Sequence, residues 1–282
     1  MGRHLLIQLS DIHLVPSSDH RVRGDPLASL DGAIDLIVSS PCRPEAILLT
    51  GDLADTGSPL AYQLLRARID HLTTVANASA VYIPGNHDDR TAFRDNLPVR
   101  HPTSTSDGGA QHATPPAGAS PADPIDQVHF FGGLRVISMD TTVPGSDAGA
   151  LSADQLDWLR DQLATPAADA TVLALHHPPI DSPIEQMTAL ALAEPARLQA
   201  AIEATDVCLV IAGHNHHASA GMLGSVPVWI SPALSYRSDP LVSTRYTPRA
   251  GSAFTRIDVI DNRALVTVVP VPVLPPGSDE EE

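Results

Sequence analysis

The stretch VCLVIAGHNH, residues 207–216, is the most informative part of this sequence. Six apolar residues end at Gly213, which predicts a short buried strand. Polar residues that directly follow such a strand are typical of α/β folds, whose sites form at the carboxyl ends of strands. If the backbone stays extended, His214 and His216 share a face and converge on one place. Two surface histidines in a loop would give the same sequence, and a single tetrapeptide is a weak motif.

Four further apolar runs end in the same way. They lie at residues 4–10, 46–50, 80–84 and 171–175, and each has the length and composition of a strand. The residues that follow them are, in order, Asp11-Ile12-His13, Gly51-Asp52, Gly85-Asn86-His87-Asp88 and His176-His177-Pro178. Because the carboxyl ends of parallel strands meet at one edge of a sheet, we expect these side chains to lie close together.

Helical spacing of apolar residues between the runs predicts crossover helices over about 27–38 and 59–72. A capping box, Ser152 to Gln155, begins another helix, and Gly132-Gly133 predicts a hairpin that makes the sheet mixed. Runs at 222–230, 253–260 and 264–269 are predicted to form a second sheet. The fold class is therefore α/β, with two packed mixed β-sheets forming a sandwich flanked by helices.

One domain is predicted over residues 1–272. Between about 99 and 127 the periodicity disappears, which predicts a flexible loop or lid, and we assign no catalytic residue to it. Residues 273–282 are predicted to be an acidic, disordered tail.

Composition excludes several classes of function. A net charge of −16 disfavours binding to a nucleic-acid polymer, which draws on clustered basic residues. Cys42 and Cys208 are too few for a disulfide framework, and no apolar stretch reaches the roughly 18 residues of a membrane span. No signal peptide is recognisable at the N-terminus, so we expect a cytoplasmic protein without a membrane span.

The residues at the strand ends form a set of possible metal ligands. They comprise two carboxylates, one amide and four imidazoles: Asp11, His13, Asp52, Asn86, His176, His214 and His216. A catalytic zinc ion uses about three protein ligands, so this set predicts two metal ions that share one carboxylate. Mixed oxygen and nitrogen donors suit manganese, iron, zinc or cobalt better than calcium or magnesium.

The order of these motifs resembles the calcineurin-like metallophosphoesterases, whose five blocks are all present between Asp11 and His216. The segments 51–55, 85–90, 140–145 and 175–180 look like those of the bacterial class III cyclic nucleotide phosphodiesterases. The resemblance implies a four-layer α/β/β/α sandwich, a homodimer and two metal ions, with manganese and iron expected first. It assigns the first metal to Asp11, His13, Asp52 and His216. It assigns the second to Asp52, Asn86, His176 and His214.

The chemistry implied is attack of metal-bound hydroxide on a small phosphodiester, such as 3′,5′-cyclic AMP. His87 directly follows the ligand Asn86, so its ring is placed to protonate the leaving oxygen as a general acid. Asp55 or Asp88 could orient that ring, and the resemblance favours Asp55. Helix capping is an equally good explanation for Asp88 and Asp89.

Two other functions stay open at this level. A phosphomonoesterase, acting on proteins or nucleotides, needs the same metal centre, and a non-catalytic scaffold with this fold needs no acid at His87. His177 and His217 adjoin ligands but are not counted among them. Tyr236 and Arg237 could line the pocket for the leaving group.

Overall fold

The computed structural model describes residues 2–16, 24–99, 120 and 123–272. Most of the predicted loop or lid at 99–127 therefore lies outside the described residues, as does the predicted tail at 273–282. The single domain over 1–272 stays a prediction.

The first of two large sheets contains five strands. They are β1 (Arg3–Leu9), β2 (Ala46–Thr50), β3 (Ser79–Ile83), β12 (Ser252–Ile260) and β13 (Arg263–Val271), in the spatial order β13-β12-β1-β2-β3. The three strands from the first part of the chain are parallel, and the last two are antiparallel. All five residues of β2 are buried, as expected for a strand covered on both faces.

The second sheet contains six strands. They are β4 (Gln127–Phe131), β5 (Leu134–Ser138), β6 (Ala170–Ala174), β7 (Val207–Ala212), β8 (Ser219–Leu223) and β9 (Val226–Ile230), in the spatial order β4-β5-β6-β7-β9-β8. The hairpin predicted around Gly132-Gly133 is confirmed, because β4 and β5 pair antiparallel across it. Two short strands, β10 (Arg237–Ser238) and β11 (Pro248–Arg249), form a separate ribbon.

Helices cover the outer face of each sheet. They are α1 (Pro26–Ser39), α2 (Pro59–Ala76) and α3 (Arg90–Asn96) on the first sheet, and α4 (Ala153–Leu163) and α6 (Pro195–Ile202) on the second. The short helix α5 (Glu185–Ala189) lies between β6 and α6. The capping box at Ser152 is confirmed, with both reciprocal hydrogen bonds to Gln155 present.

Three apolar clusters define the layers. One lies between α1, α2 and the first sheet, one between α4, α6 and the second sheet, and one between the two sheets. Successive side chains of β2 point to opposite faces of the sheet. Leu48 therefore packs between the two sheets, whereas Leu49 packs against the helices. The predicted four-layer α/β/β/α sandwich is confirmed.

The grouping of the late strands differs from the prediction. Residues 222–230 join the second sheet, but β12 and β13 extend the first sheet, where Ile257 pairs with Leu6 of β1. Local alternation identifies a strand without identifying its partner, and this partner lies some 250 residues earlier in the chain.

His4 on β1 connects the two sheets through two carboxylates. Its Nδ1 lies 3.0 Å from Glu45 Oε2, just before β2, and its Nε2 lies 3.0 Å from Asp169 Oδ2, just before β6. Burial disfavours the charged ring, but hydrogen bonds to Glu45 and Asp169 outweigh it and raise the pKa of His4 above 6.5.

We therefore expect His4→Gln to cost more stability in mildly acidic than in alkaline solution. Because the folded pKa is raised, the contribution of His4 is complete below about pH 6.5 and is lost as pH rises through the folded pKa. The urea midpoints of wild type and variant should differ more at about pH 6 than at about pH 9. Titration of the remaining groups is common to both proteins and cancels. An equal difference at both pH values would mean that the folded protein does not favour the charged ring.

Candidate metal centre

The two sheets meet at the edge where β1, β2, β3, β6 and β7 end. The backbone N–H of His214, after β7, donates to both carboxylate oxygens of Asp11, after β1, at 3.0 and 3.1 Å. The N–H of Gly213 donates to the carbonyl of His176, after β6, at 3.0 Å. The strand ends of both sheets are thus joined directly, and the predicted ligands come from two sheets rather than from one edge of a single sheet.

Five of the predicted ligands have a left-handed backbone. The φ angles are 53° at Asp11, 50° at His13, 51° at Asp52, 70° at His214 and 56° at His216. Non-glycine residues in this region cost about 1–3 kcal/mol each and concentrate at functional sites. The extended backbone expected after β7 is therefore wrong, and the two histidines do not share a face. His214 lies against His176, whereas His216 lies against His13.

Glycine is required at two of these turns because other groups approach the backbone. A Cβ atom at Gly213 would lie 2.0 Å from Ser10 Oγ, and one at Gly51 would lie 2.2 Å from His176 Nδ1. Gly51 also has a φ of 88°. These contacts explain why glycine precedes a predicted ligand in both motifs.

The first cluster contains Asp11, His13, Asp52 and His216, all buried, with ligand atoms within 4.8 Å of one another. Nδ1 of His216 donates to the carbonyl of Tyr236, and Nδ1 of His13 lies 3.0 Å from Asp55 Oδ1. Each ring therefore turns Nε2 toward the other, at a separation of 3.1 Å. Two nitrogen lone pairs at this distance repel unless a cation or a proton lies between them, so the geometry fits a metal ion.

The second cluster forms around His176. Nδ1 of His176 donates to the carbonyl of Thr50 at 2.9 Å, and its Nε2 lies 3.1 Å from Asn86 Oδ1 and 3.4 Å from Asp52 Oδ1. The buried Nε2 of His214 has no hydrogen-bond partner among the described residues. A buried nitrogen without a partner is costly, and a metal ion would satisfy it.

Asp52 lies between the two clusters. Its Oδ2 is 3.6 Å from His13 Nε2, and its Oδ1 is 3.4 Å from His176 Nε2. Burial opposes ionisation, but His176 and His13 hold the pKa of Asp52 well below its usual value. In turn, against the effect of burial, Asp52 and Asp11 raise the pKa of His176 to about 9. The site therefore favours positive charge beside an ionised carboxylate that reaches both clusters.

His87 lies next to the first cluster and outside both, and with His13 and Asp55 it forms a third group of possible metal ligands. Its ring packs edge-on against His13 with centroids 4.7 Å apart, and 42% of its side chain is exposed. Nδ1 donates to the backbone carbonyl of Asp55 at 2.8 Å, which leaves Nε2 directed away from that residue. Burial lowers the pKa of His87, but the Asp52 carboxylate and the carbonyl and carboxylate of Asp55 raise it above its usual value.

Asp55 contacts two histidines through different groups. Its carboxylate lies 3.0 Å from His13 Nδ1 but 3.9 Å from His87 Nδ1, so the carboxylate principally orients His13. The carbonyl orients His87. Asp55 is thus placed to orient the ring, but with a backbone atom that the sequence pattern does not identify.

Asp88 neither orients His87 nor caps a helix, the two roles that the sequence suggested for it. Its carboxylate accepts hydrogen bonds from the backbone N–H groups of Leu53, Ala54 and Gly85 and from the Tyr62 hydroxyl. It therefore fixes the turn that carries Asp52 and does not orient His87. Capping is confirmed for Asp89, the N-cap of α3, but not for Asp88.

Four further residues near the predicted ligands have defined contacts. His177 is buried and bonded at both ring nitrogens, to the Thr141 hydroxyl and to the Asp147 carbonyl, so it holds a loop. Tyr236 packs against His216 with centroids 4.8 Å apart, whereas Arg237 donates to the carbonyl of Ala250 and is exposed. Sequence reasoning missed Tyr246, which also packs against His216, because no motif surrounds it.

Comparison with known proteins gives the family. The profile of the calcineurin-like phosphoesterases matches residues 4–218. The chain is 36% identical to the cAMP/cGMP dual specificity phosphodiesterase of Mycobacterium tuberculosis over 242 residues, which cover 85% of this chain and 70% of that protein. It is 35% identical to a probable cyclic nucleotide phosphodiesterase of Rhodococcus erythropolis, over 84% of this chain and 73% of that one.

Among solved structures, a dimetal phosphatase from Danio rerio has the same fold, with a TM-score of 0.61 and 12% identity over 95% of this chain and 98% of that one. Fold and site together define a metal-dependent phosphoesterase, and the predicted enzyme class is confirmed. The chain belongs to the calcineurin-like phosphoesterase family. Within the described residues, no helix combines the length and the apolar character needed to cross a membrane.

Proposed function

We propose that the protein is a dinuclear metal-dependent phosphodiesterase that hydrolyses cyclic nucleotides or other small phosphodiesters. Asp11, His13, Asp52 and His216 would hold one metal ion. Asp52, Asn86, His176 and His214 would hold the other. The shared position of Asp52, within 3.6 Å of His13 and 3.4 Å of His176, supports this division.

The metal ions would supply Lewis acidity and a nucleophile at neutral pH. Manganese and iron are proposed first, with zinc and cobalt as alternatives, because the donors mix carboxylate, amide and imidazole. Other residues of the chain position the proposed ligands. Asp55 orients His13 with its carboxylate, and the Asp88 carboxylate fixes the turn on which Asp52 lies.

His87 is proposed as the general acid. Its Nδ1–H is held by the Asp55 carbonyl, so in the protonated ring Nε2–H is the group available to a leaving oxygen. Water forms the new P–O bond and releases one proton to solvent. The P–O bond to the leaving group breaks, and the departing oxygen takes the proton from His87, which is reprotonated from solvent.

One observation carries the proposal: two groups of possible metal ligands, both within reach of the Asp52 carboxylate, lie beside the half-exposed imidazole of His87, which is in neither of them. A binding scaffold has no use for that imidazole. The names of the relatives support a diester as the substrate, since one is a cAMP/cGMP dual specificity phosphodiesterase and the other is named a probable cyclic nucleotide phosphodiesterase.

A substrate panel tests the proposal. The protein, loaded in turn with manganese, iron, zinc or cobalt, is incubated with 3′,5′- and 2′,3′-cyclic nucleotides, linear diesters and monoesters. We expect diesters to be hydrolysed faster than monoesters of the same alcohol. Faster turnover of monoesters would indicate a phosphatase, and turnover of neither class would indicate a scaffold.

The homodimer and the cytoplasmic location are parts of the same proposal. All proposed ligands come from one chain, so each active site would be complete within a protomer. Light scattering at micromolar concentration is expected to give twice the mass of the 29.7 kDa chain. A single-chain mass would reject the dimer and leave the proposed chemistry unchanged.

A further inference from the structure

A cavity of about 400 Å³ opens beside Asn86, and we refer to it as the Asn86 cavity. Residues 86 and 88–91 form one wall, and residues 142–145, from the loop after β5, form the other. Its volume falls within the range of roughly 300–1,000 Å³ that is usual for small-molecule sites. The cavity begins at a proposed metal ligand, because Asn86 Oδ1 lies 3.1 Å from His176 Nε2.

The cavity adjoins the second cluster, whereas the proposed acid adjoins the first. Asn86 reaches toward His176 in the second cluster, whereas the next residue, His87, packs against His13 in the first. Neither His87 nor Tyr236 lines the cavity. A phosphate bound across both clusters would therefore have His87 and Tyr236 near the first cluster and the Asn86 cavity near the second.

A phosphodiester carries two organic groups, of which only one leaves. The leaving oxygen must lie within reach of His87, so the other group extends away from it. We propose that the Asn86 cavity binds the group that stays esterified to phosphorus, and that this group is an uncharged nucleoside. The inference rests on the proposed function. In the reaction, the bond from phosphorus to the retained group is unchanged, while water replaces the leaving group as described above.

The walls determine the chemical class of that group. Arg90 Nε donates to Asp140 Oδ2 at 2.8 Å, and Arg90 Nη2 donates to the Thr142 carbonyl at 2.8 Å, so this cation is already compensated. Asp89 adds a carboxylate, and among the described lining residues no second Arg or Lys is present. A second phosphate is therefore disfavoured.

Hydroxyl groups and an apolar ring are favoured instead. The exposed Thr91 and Asp89 offer a hydroxyl and a carboxylate on one wall, and Val143 and Pro144 offer apolar surface on the other. A sugar with a base attached matches both kinds of wall. In a cyclic nucleotide both ester oxygens belong to one ribose, so cyclic substrates should depend on the cavity less than linear ones.

Thr91→Trp tests the assignment because it fills the cavity from an exposed position on α3. Two p-nitrophenyl esters share one leaving group and differ only in the retained group: p-nitrophenyl thymidine 5′-phosphate and methyl p-nitrophenyl phosphate. We expect kcat/KM to fall at least about tenfold for the thymidine ester and to change less than about twofold for the methyl ester. Asp95→Trp, on the same helix but outside the cavity, should affect neither ester. Val143→Trp repeats the test from the opposite wall.

Calorimetric binding of the products gives a readout independent of turnover. Thymidine 5′-phosphate should bind the Thr91→Trp protein at least about tenfold more weakly than wild type, and methyl phosphate should bind both alike. The assignment would be overturned if Thr91→Trp and Val143→Trp both weakened the binding of thymidine 5′-phosphate and methyl phosphate equally, or weakened neither. Tighter binding of thymidine 3′,5′-bisphosphate than of thymidine 5′-phosphate would show that the cavity accepts a charged group, and would overturn the proposal of an uncharged nucleoside. If neither ester is hydrolysed by wild type but thymidine 5′-phosphate binding still depends on Thr91, the cavity assignment stands and the proposed function is rejected.

Discussion

Asp52→Asn is expected to lose both metal ions and to abolish turnover. The two carboxylate oxygens of Asp52 face different clusters, at 3.6 Å from His13 Nε2 and 3.4 Å from His176 Nε2. An amide removes the negative charge and replaces one oxygen with an NH₂ group, which cannot bind a cation. Changes to residues that only support a ligand cost about 10- to 100-fold in metal affinity, so loss of a shared ligand should cost more.

A matched control separates this effect from general damage. Asp206 is also a mostly buried carboxylate, paired with Arg135 at 2.8 Å, but it lies away from both clusters. Asp206→Asn should lower the urea midpoint yet keep the metal content and the turnover of wild type. Two tightly held metal ions with a normal rate in Asp52→Asn, measured by elemental analysis and diester hydrolysis, would reject the shared ligand.

His87→Ala is expected to keep both metal ions and to lose about 10²- to 10⁴-fold in rate on diesters with alkoxide leaving groups. The metals should stay because His87 belongs to neither proposed ligand set. Nitrophenyl esters should slow much less, because nitrophenolate departs without needing a proton. The exposed His71 on α2 provides the control, and His71→Ala should leave both rates unchanged.

The contrast between leaving groups is the informative measurement. A loss of folding or of metal would slow both kinds of ester alike. If both slow equally while elemental analysis still finds two metal ions, His87 positions the phosphate and does not donate a proton. Its orientation by the Asp55 carbonyl would then serve binding.

The sequence predicts those parts of the fold that depend on local patterns. Apolar runs identify β1, β2, β3, β6 and β7, and the capping box identifies the start of α4 at Ser152. Pairing is a long-range property, which explains why β12 and β13 were predicted in the wrong sheet. The period-two rule also fails after β7, where φ becomes positive at His214 and His216.

In the candidate site, too, the sequence predicts one part, the ligands, and not the other, the contacts that support them. All seven predicted ligands lie at the meeting edge of the sheets, because each directly follows a strand or its first turn. The supporting contacts were not predictable, since they join distant parts of the chain through atoms that no motif specifies. Examples are the Asp55 carbonyl that holds His87 and the Asp88 carboxylate that accepts backbone hydrogen bonds from Leu53 and Ala54. The wall at 142–145 depends likewise on the pairing of Arg90 with Asp140.

The most direct test of the dinuclear phosphodiesterase is a metal titration of turnover. Metal-free protein receives increasing equivalents of manganese, and the initial rate of bis-p-nitrophenyl phosphate hydrolysis is recorded at each step. The proposed ligand sets predict a rate that rises from near zero and reaches its maximum at two equivalents per chain. A maximum at one equivalent would contradict the dinuclear centre, and absence of turnover at every equivalent would contradict the phosphodiesterase.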